Sequence, residues 1–362
     1  MRPAWHPPAA HCFEPQANDL YNTARCGNPV KFTYLPLLGK RLLFSMSKKR
    51  IGVIGAGHLG YHHARLYRNM VGVELAGVAD ISAAARDRIA RDFEVPVYED
   101  SRALLAAGLD AVSVVTPTGT HAEITLAVLE AGIHVLVEKP MAATVEESRA
   151  MVDTACRMGV LLQVGHVERF NGAVKALFES GITPRFIECH RLSPFSGRGG
   201  DVSVVLDLMI HDLDIVLKMT GTDLVQVDAV GVPIFSDQED IANARLRFAS
   251  GCVANLTSSR ASMESMRKIR IFDPEAYIST DYSAQQVLVY RRKPGPPPAG
   301  GNFMDQITVT ALPVCKDEPL KLELEAFVNS VGSNHPPFVS GEDGLRVLEV
   351  AWRILEAIRG QS

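Results

Sequence analysis

Residues 51–60 read Ile-Gly-Val-Ile-Gly-Ala-Gly-His-Leu-Gly, a short apolar strand that runs into a glycine turn and then a helix. The spacing Gly55-x-Gly57-x-x-Gly60 has a mechanism. Gly55 permits the tight turn, Gly57 lets backbone approach a pyrophosphate, and Gly60 lets helix and strand pack closely. A phosphate placed there meets the free N–H groups and the positive end of the helix dipole, with His58 and Leu59 beside it. Asp80 ends the next apolar run, about 25 residues past Gly55. An acidic side chain at that point holds both ribose hydroxyls and repels a 2′-phosphate, so the expected cofactor is NAD.

Outward from this turn, apolar strands at 51–55, 74–79, 111–115, 133–137 and 160–164 alternate with helical segments near 58–70, 83–92, 101–107, 119–131 and 144–158. That alternation is the pattern of a parallel sheet with crossover helices. The fold class is therefore α/β: an N-terminal, doubly wound Rossmann domain over 47–165, then a C-terminal α+β domain over 166–362. In the second domain, alternating strands at 241–248, 252–259, 268–272 and 286–290 predict a large, mainly antiparallel sheet. Residues 293–301 read as a low-complexity loop, and helices near 319–332 and 342–359 close the chain, packing back on the Rossmann domain.

Bulk properties exclude several classes. The 362 residues carry a formal net charge of −4 with pI near 6.3, without the basic footprint that nucleic-acid binding needs. Six cysteines are scattered without a CxxC pair, so neither a disulfide framework nor a zinc site is suggested and a reducing, cytoplasmic setting fits. No uncharged apolar run approaches membrane-spanning length. Residues 1–46 are rich in Pro, His and Asn and end at Met46, a natural start; they are expected to be disordered or wrongly assigned to the chain.

Chemistry concentrates at two places. The strand at 133–137 ends in Glu138-Lys139-Pro140, at the carboxyl edge where open α/β sheets bind ligands, and Pro140 invites a cis peptide. The segment 203–220, Ser-Val-Val-Leu-Asp-Leu-Met-Ile-His-Asp-Leu-Asp-Ile-Val-Leu-Lys-Met-Thr, reads as a mostly apolar helix. Asp207, His211, Asp214 and Lys218 form one polar stripe along it, facing either solvent or a cleft. Asp207, one turn from His211, is placed to orient the imidazole and raise its basicity; Asp212 lies off the stripe and reads as structural. His58, His62 and His63 on the first helix lack an accompanying carboxylate or cysteine, so no metal is expected.

Taken together, these residues resemble the Gfo/Idh/MocA oxidoreductases of sugars and polyols over about 48–360. The likeness rests on the glycine turn, Thr116-Pro117 with His121, Glu138-Lys139-Pro140, and Asp207-x-x-x-His211 preceded by Gly199-Gly200. It implies that Lys139 and His211 flank the reacting hydroxyl, that Asp207 assists, and that Thr116, Pro117, His121, Glu138 and Lys139 border the cofactor. Four further segments, 165–171 (Gly-His-Val-Glu-Arg-Phe-Asn), 239–245, 266–272 and 341–344, resemble a branch that oxidises the 3-hydroxyl of UDP-N-acetylglucosamine for lipid A synthesis. On that reading Glu168, Arg169, Phe170 and Asn171 meet the substrate, and Arg169, Arg191 and Arg198 offer donors to its diphosphate. Relatives pair sheets of this type through small or modestly polar strand faces, here Ala242, Asn243, Ala244, Ala254, Asn255 and Thr257, so a homodimer or homotetramer is expected. A dehydrogenase of another sugar, nucleotide-sugar or inositol is the alternative, followed by a non-catalytic NAD-binding regulator.

Overall fold

The computed structural model describes residues 48–195, 202–295, 302–333 and 335–360. The expectations for residues 1–46, for Arg198 and Gly199-Gly200, and for most of the 293–301 loop lie outside these.

The first half alternates strand and helix: β1 (Lys49–Ile54), α1 (His58–Arg68), β2 (Val73–Ala79), α2 (Ala83–Phe93), β3 (Val97–Tyr98), α3 (Ser101–Leu105), β4 (Ala111–Val114), α4 (His121–Glu130), β5 (His134–Glu138), α5 (Val145–Met158) and β6 (Leu162–Gly165). The six strands are parallel, in the order β3-β2-β1-β4-β5-β6. The chain winds outward in both directions from β1 and β4, so a crevice opens at their carboxyl ends. Helix starts are written locally. Ser82, Asp100 and Thr144 each accept a backbone N–H three residues on, and Thr144 forms a complete capping box with Glu147. Removing such a cap costs about 1 kcal/mol. Gly159, at φ 65°, stops α5 in the left-handed conformation that a glycine adopts without penalty.

The second half supplies α6 (Gly172–Glu179), β7 (Phe186–Leu192), a π-helical turn (Val205–Met209) leading straight into α7 (Ile210–Thr220), then β8 (Leu224–Val232), β9 (Ile241–Phe248), β10 (Val253–Ser259), β11 (Met266–Phe272), β12 (Ala276–Asp281), β13 (Gln286–Arg292), β14 (Ile307–Ala311), α8 (Pro319–Ser333) and α9 (Gly341–Arg359). The eight strands lie in the order β14-β13-β12-β11-β7-β10-β9-β8. Every neighbouring pair is antiparallel except β7 with β10, which run parallel.

Alternation decides which face of this sheet is buried. On β9, Ala242, Ala244, Leu246 and Phe248 point inward while Asn243, Arg245 and Arg247 point out. The inward face meets α7 and α9 in a core that includes Ile187, Leu213, Val216, Leu256 and Ile354. Each such side chain contributes roughly 1.5–3 kcal/mol by leaving water. Helix α8 returns to the first sheet: Leu324, Phe327 and Val331 share a core with Ile51, Tyr67 and Leu136. Helix α9 approaches β6 so closely that a Cβ on Gly344 would lie 2.5 Å from Val164 Cγ2. Among the described residues no helix is long and apolar enough to cross a membrane.

Candidate active site

Strand β1 delivers the chain to the glycine turn. Gly55 sits at φ 97°, and a Cβ there would lie 2.4 Å from the Val115 carbonyl oxygen. A Cβ on Gly60 would lie 1.9 Å from Gly55 O, whereas one on Gly57 would meet nothing within 4 Å. Gly57 starts α1 without a side-chain cap, and the first turn of α1 holds no acid. Its free N–H groups therefore face open space without a competing carboxylate. His58 and Leu59 follow, both exposed.

Asp80, at the end of β2, accepts from Ala56 N at 2.6 Å and from Ser82 N at 2.7 Å, clamping the glycine turn to the start of α2. Asp80, Gly55 and Gly57 border a cavity of about 640 Å³ that also touches Ile54, Val115, Thr116 and Pro117. Behind it, Thr120 Oγ1 holds the Thr116-Pro117 turn through Thr116 Oγ1 and Pro117 O, each at 2.8 Å. His121 is buried, with Nδ1 at 2.8 Å from Pro140 O and Nε2 at 2.7 Å from Thr116 O. Its ring is spent on backbone. It braces the 116–117 turn against the Lys139-Pro140 turn, and so acts on the cleft from behind.

The Lys139-Pro140 peptide is cis, as the proline invited. Lys139 Nζ donates to the backbone oxygen of Asp207 at 2.8 Å and reaches its carboxylate at 3.3 Å. Glu138 is buried, with one carboxylate oxygen 3.2 Å from His63 Nε2 and the other accepting from Lys139 N at 3.3 Å. Lys139 and His211 line one cavity of about 510 Å³, together with Leu59, Glu138, Glu168 and Asn171. His211 is half-buried at its wall, and its Nδ1 is buried without a partner. Burial, then the positive charges of Lys139 and Arg191, holds the His211 pKa well below the ordinary imidazole value of 6.5. The ring is thus a neutral base near pH 7.

Several sequence expectations take a different form. Asp207 was expected to support His211, but its bonds go to Lys139, because the π-helical turn interrupts the regular α-helical stacking assumed for the stripe. The stripe itself divides: Lys218 is exposed, whereas Asp214 is fully buried. Arg169, read as a diphosphate donor, forms a two-pronged pair with Asp214 at 2.6 and 2.7 Å and reaches Asp343 at 2.9 Å. Arg191 does the same with Asp212 at 2.9 and 3.1 Å, and with Glu168 at 3.0 Å. Both guanidinium groups are buried, which uses up their forks inside the protein. Phe170 is buried against Phe338, and Asn171 caps α6 through Ala173 N. Phe170 does not line the cavity shared by Lys139 and His211, whereas Asn171 lines it with its amide already bonded to Ala173 N, Glu168 and the Tyr282 carbonyl. Arg198 lies outside the described residues.

The chain matches the model of the oxidoreductase family with an NAD-binding Rossmann fold over 49–166, and that of the GFO/IDH/MocA C-terminal domain over 184–278. It is 38% identical to a UDP-N-acetylglucosamine 3-dehydrogenase of Acidithiobacillus ferrooxidans over 86% of this chain and 98% of that protein. The chain belongs to the Gfo/Idh/MocA oxidoreductase family. A solved structure of that Acidithiobacillus dehydrogenase superposes with a TM-score of 0.80 over 86% of this chain and 97% of the other. A myo-inositol 2-dehydrogenase of Thermotoga maritima is 29% identical over 83% of this chain and 93% of its own length. This family member is accordingly an oxidoreductase enzyme.

Cavity residues that the sequence reading missed come from the second sheet: Arg267 from β11, and Tyr282, Ser283 and Gln285 from the turn between β12 and β13. The segment holding Arg267 stood out by resemblance, but no periodicity says that this strand end reaches a site built on another domain. Glu318, just ahead of α8, closes the rim and pairs with Arg65 at 2.5 Å.

Proposed function

We propose that this oxidoreductase uses NAD to oxidise a sugar hydroxyl, namely the 3-hydroxyl of UDP-N-acetylglucosamine, giving the 3-keto sugar for lipid A precursor synthesis. One observation carries the reading: Lys139 and His211, far apart in sequence, line a single cavity beside the start of α1. The relative at 38% identity, named for that reaction, supports the substrate.

The cleft fits a dinucleotide on three counts: open space over Gly57, an uncapped α1 without acid in its first turn, and Asp80 at the ribose position. Bound NAD would supply the hydride acceptor. His211, held neutral by burial and nearby cations, takes the proton of the hydroxyl. Lys139 donates to the same oxygen and stabilises the alkoxide as it forms. Asp207 fixes where the ammonium points. The same reading includes a cytoplasmic enzyme with a small-molecule substrate, assembled as a homodimer or homotetramer through the outward face of β9 and β10.

The test is direct. NAD and UDP-N-acetylglucosamine are added to purified protein and the absorbance of reduced cofactor is followed beside glucose, myo-inositol and other nucleotide-sugars. Turnover of UDP-N-acetylglucosamine well above the rest supports the proposal, and a preference for myo-inositol or a free sugar overturns the substrate.

A further inference from the structure

With Arg169 and Arg191 locked in buried pairs, the diphosphate of a nucleotide-sugar needs another cation. Arg267 is exposed and lines the cavity shared by Lys139 and His211. Its strand neighbours are paired, Lys268 with Asp281 at 3.8 Å and Arg270 with Glu188 at 3.1 Å. Among the described residues no carboxylate lies within ion-pair distance of Arg267 itself. An unpaired guanidinium beside a cavity is suited to a phosphate, which it can grip with two parallel N–H bonds.

A second observation points the same way. Tyr282 N donates to Arg267 O at 3.0 Å, which seats the two residues side by side. The Tyr282 hydroxyl is buried without a partner, as is Gln285 Oε1, and both residues line the same cavity. Buried polar atoms are nearly always hydrogen-bonded, so an orphaned hydroxyl on a residue that lines a cavity is a donor still without its acceptor. Burial, helped by the charge of Asp212, pushes the Tyr282 pKa well above 10, which keeps the hydroxyl a donor.

We propose that Arg267 anchors the diphosphate of the substrate, with the Tyr282 hydroxyl as a second donor, and so selects nucleotide-linked over free sugars. This rests on the nucleotide-sugar reading above. Lys139 and His211 hold the reacting carbon while Arg267 holds the group hanging from the anomeric carbon nearby.

The experiment uses the whole protein with NAD present, UDP as a calorimetric probe, and steady-state turnover of UDP-N-acetylglucosamine by wild type, Arg267→Gln and Arg267→Lys. Retained NAD affinity shows that the variants are folded. The expected result is a tenfold or greater loss of UDP affinity and a matching rise in KM for Arg267→Gln, with kcat changed less than threefold and partial recovery in Arg267→Lys. Wild-type affinity for UDP in Arg267→Gln overturns the anchor but leaves the substrate standing. Failure of the wild type both to bind UDP and to oxidise UDP-N-acetylglucosamine overturns both.

Discussion

The ammonium of Lys139 stands 2.8 Å from the backbone oxygen of Asp207 and 3.3 Å from its carboxylate. A residue at the edge of the first sheet is thereby held by a π-helical turn in the second half of the chain. The backbone contact survives a change of side chain, whereas replacing the carboxylate by an amide removes the negative charge facing the ammonium. Asp207→Asn is expected to lower kcat by about tenfold to a hundredfold, the cost of a misplaced reacting group, with KM little changed. Equal losses in kcat and NAD affinity would instead indicate general damage to the fold.

The glycine turn separates two effects. Gly57 faces open space, so Gly57→Ala leaves the protein intact and, on the proposed reading, places a methyl where the dinucleotide approaches. NAD affinity is expected to fall about tenfold, some 1.4 kcal/mol, with the melting temperature unchanged. Gly60→Ala drives a methyl into the Gly55 carbonyl and should lower both. Calorimetric titration and thermal unfolding of the two variants check this, and equal melting temperatures for both would contradict the packing argument.

In the proposed mechanism, protonation of His211 removes the base. Because burial and adjacent cations lower its pKa well below 6.5, the neutral form persists into mild acid. The acid limb of kcat/KM is therefore expected below pH 6.5, and a limb at or above that value would remove His211 as the titrating base. Stability follows the same sign. The folded pKa lies below the unfolded one, so this contribution is present above about pH 6.5 and is lost as pH falls below it, when the unfolded chain takes up the proton first.

Arg169 and Asp214 are both buried, and their two-pronged pair ties α7 to the 167–170 turn. Asp214→Ala leaves a guanidinium uncompensated in the interior and is expected to destabilise the protein by about 3–5 kcal/mol, read from urea unfolding. A loss under about 1 kcal/mol, accompanied by weaker substrate binding, would return Arg169 to the substrate.

Much of the first domain was legible because its signals are local. The glycine spacing and the alternation of apolar strands with helical segments each act on chain neighbours, and the six-stranded parallel sheet with its glycine turn keeps both. The second sheet was less so. Strand β8 carries Val225, Val230 and Val232 on exposed positions, which blurs the alternation that marks a half-buried strand, and the parallel pairing of β7 with β10 is set by tertiary contacts alone. For the site, residue types were legible and partners were not. Asp207 and His211 looked like a pair at helical spacing, until the π-helical turn gave the carboxylate to Lys139. Arg169 and Arg191 looked like diphosphate donors because their carboxylates, Asp214 and Asp343 for the first and Asp212 and Glu168 for the second, come from other segments of the chain.

The central claim is that Lys139 and His211 act on one hydroxyl. It is tested by turnover of UDP-N-acetylglucosamine with NAD in Lys139→Met and His211→Gln, beside calorimetric NAD binding to each. The account predicts a fall in kcat of at least about a hundredfold in both variants with NAD affinity preserved. Near-normal turnover in either one would contradict it.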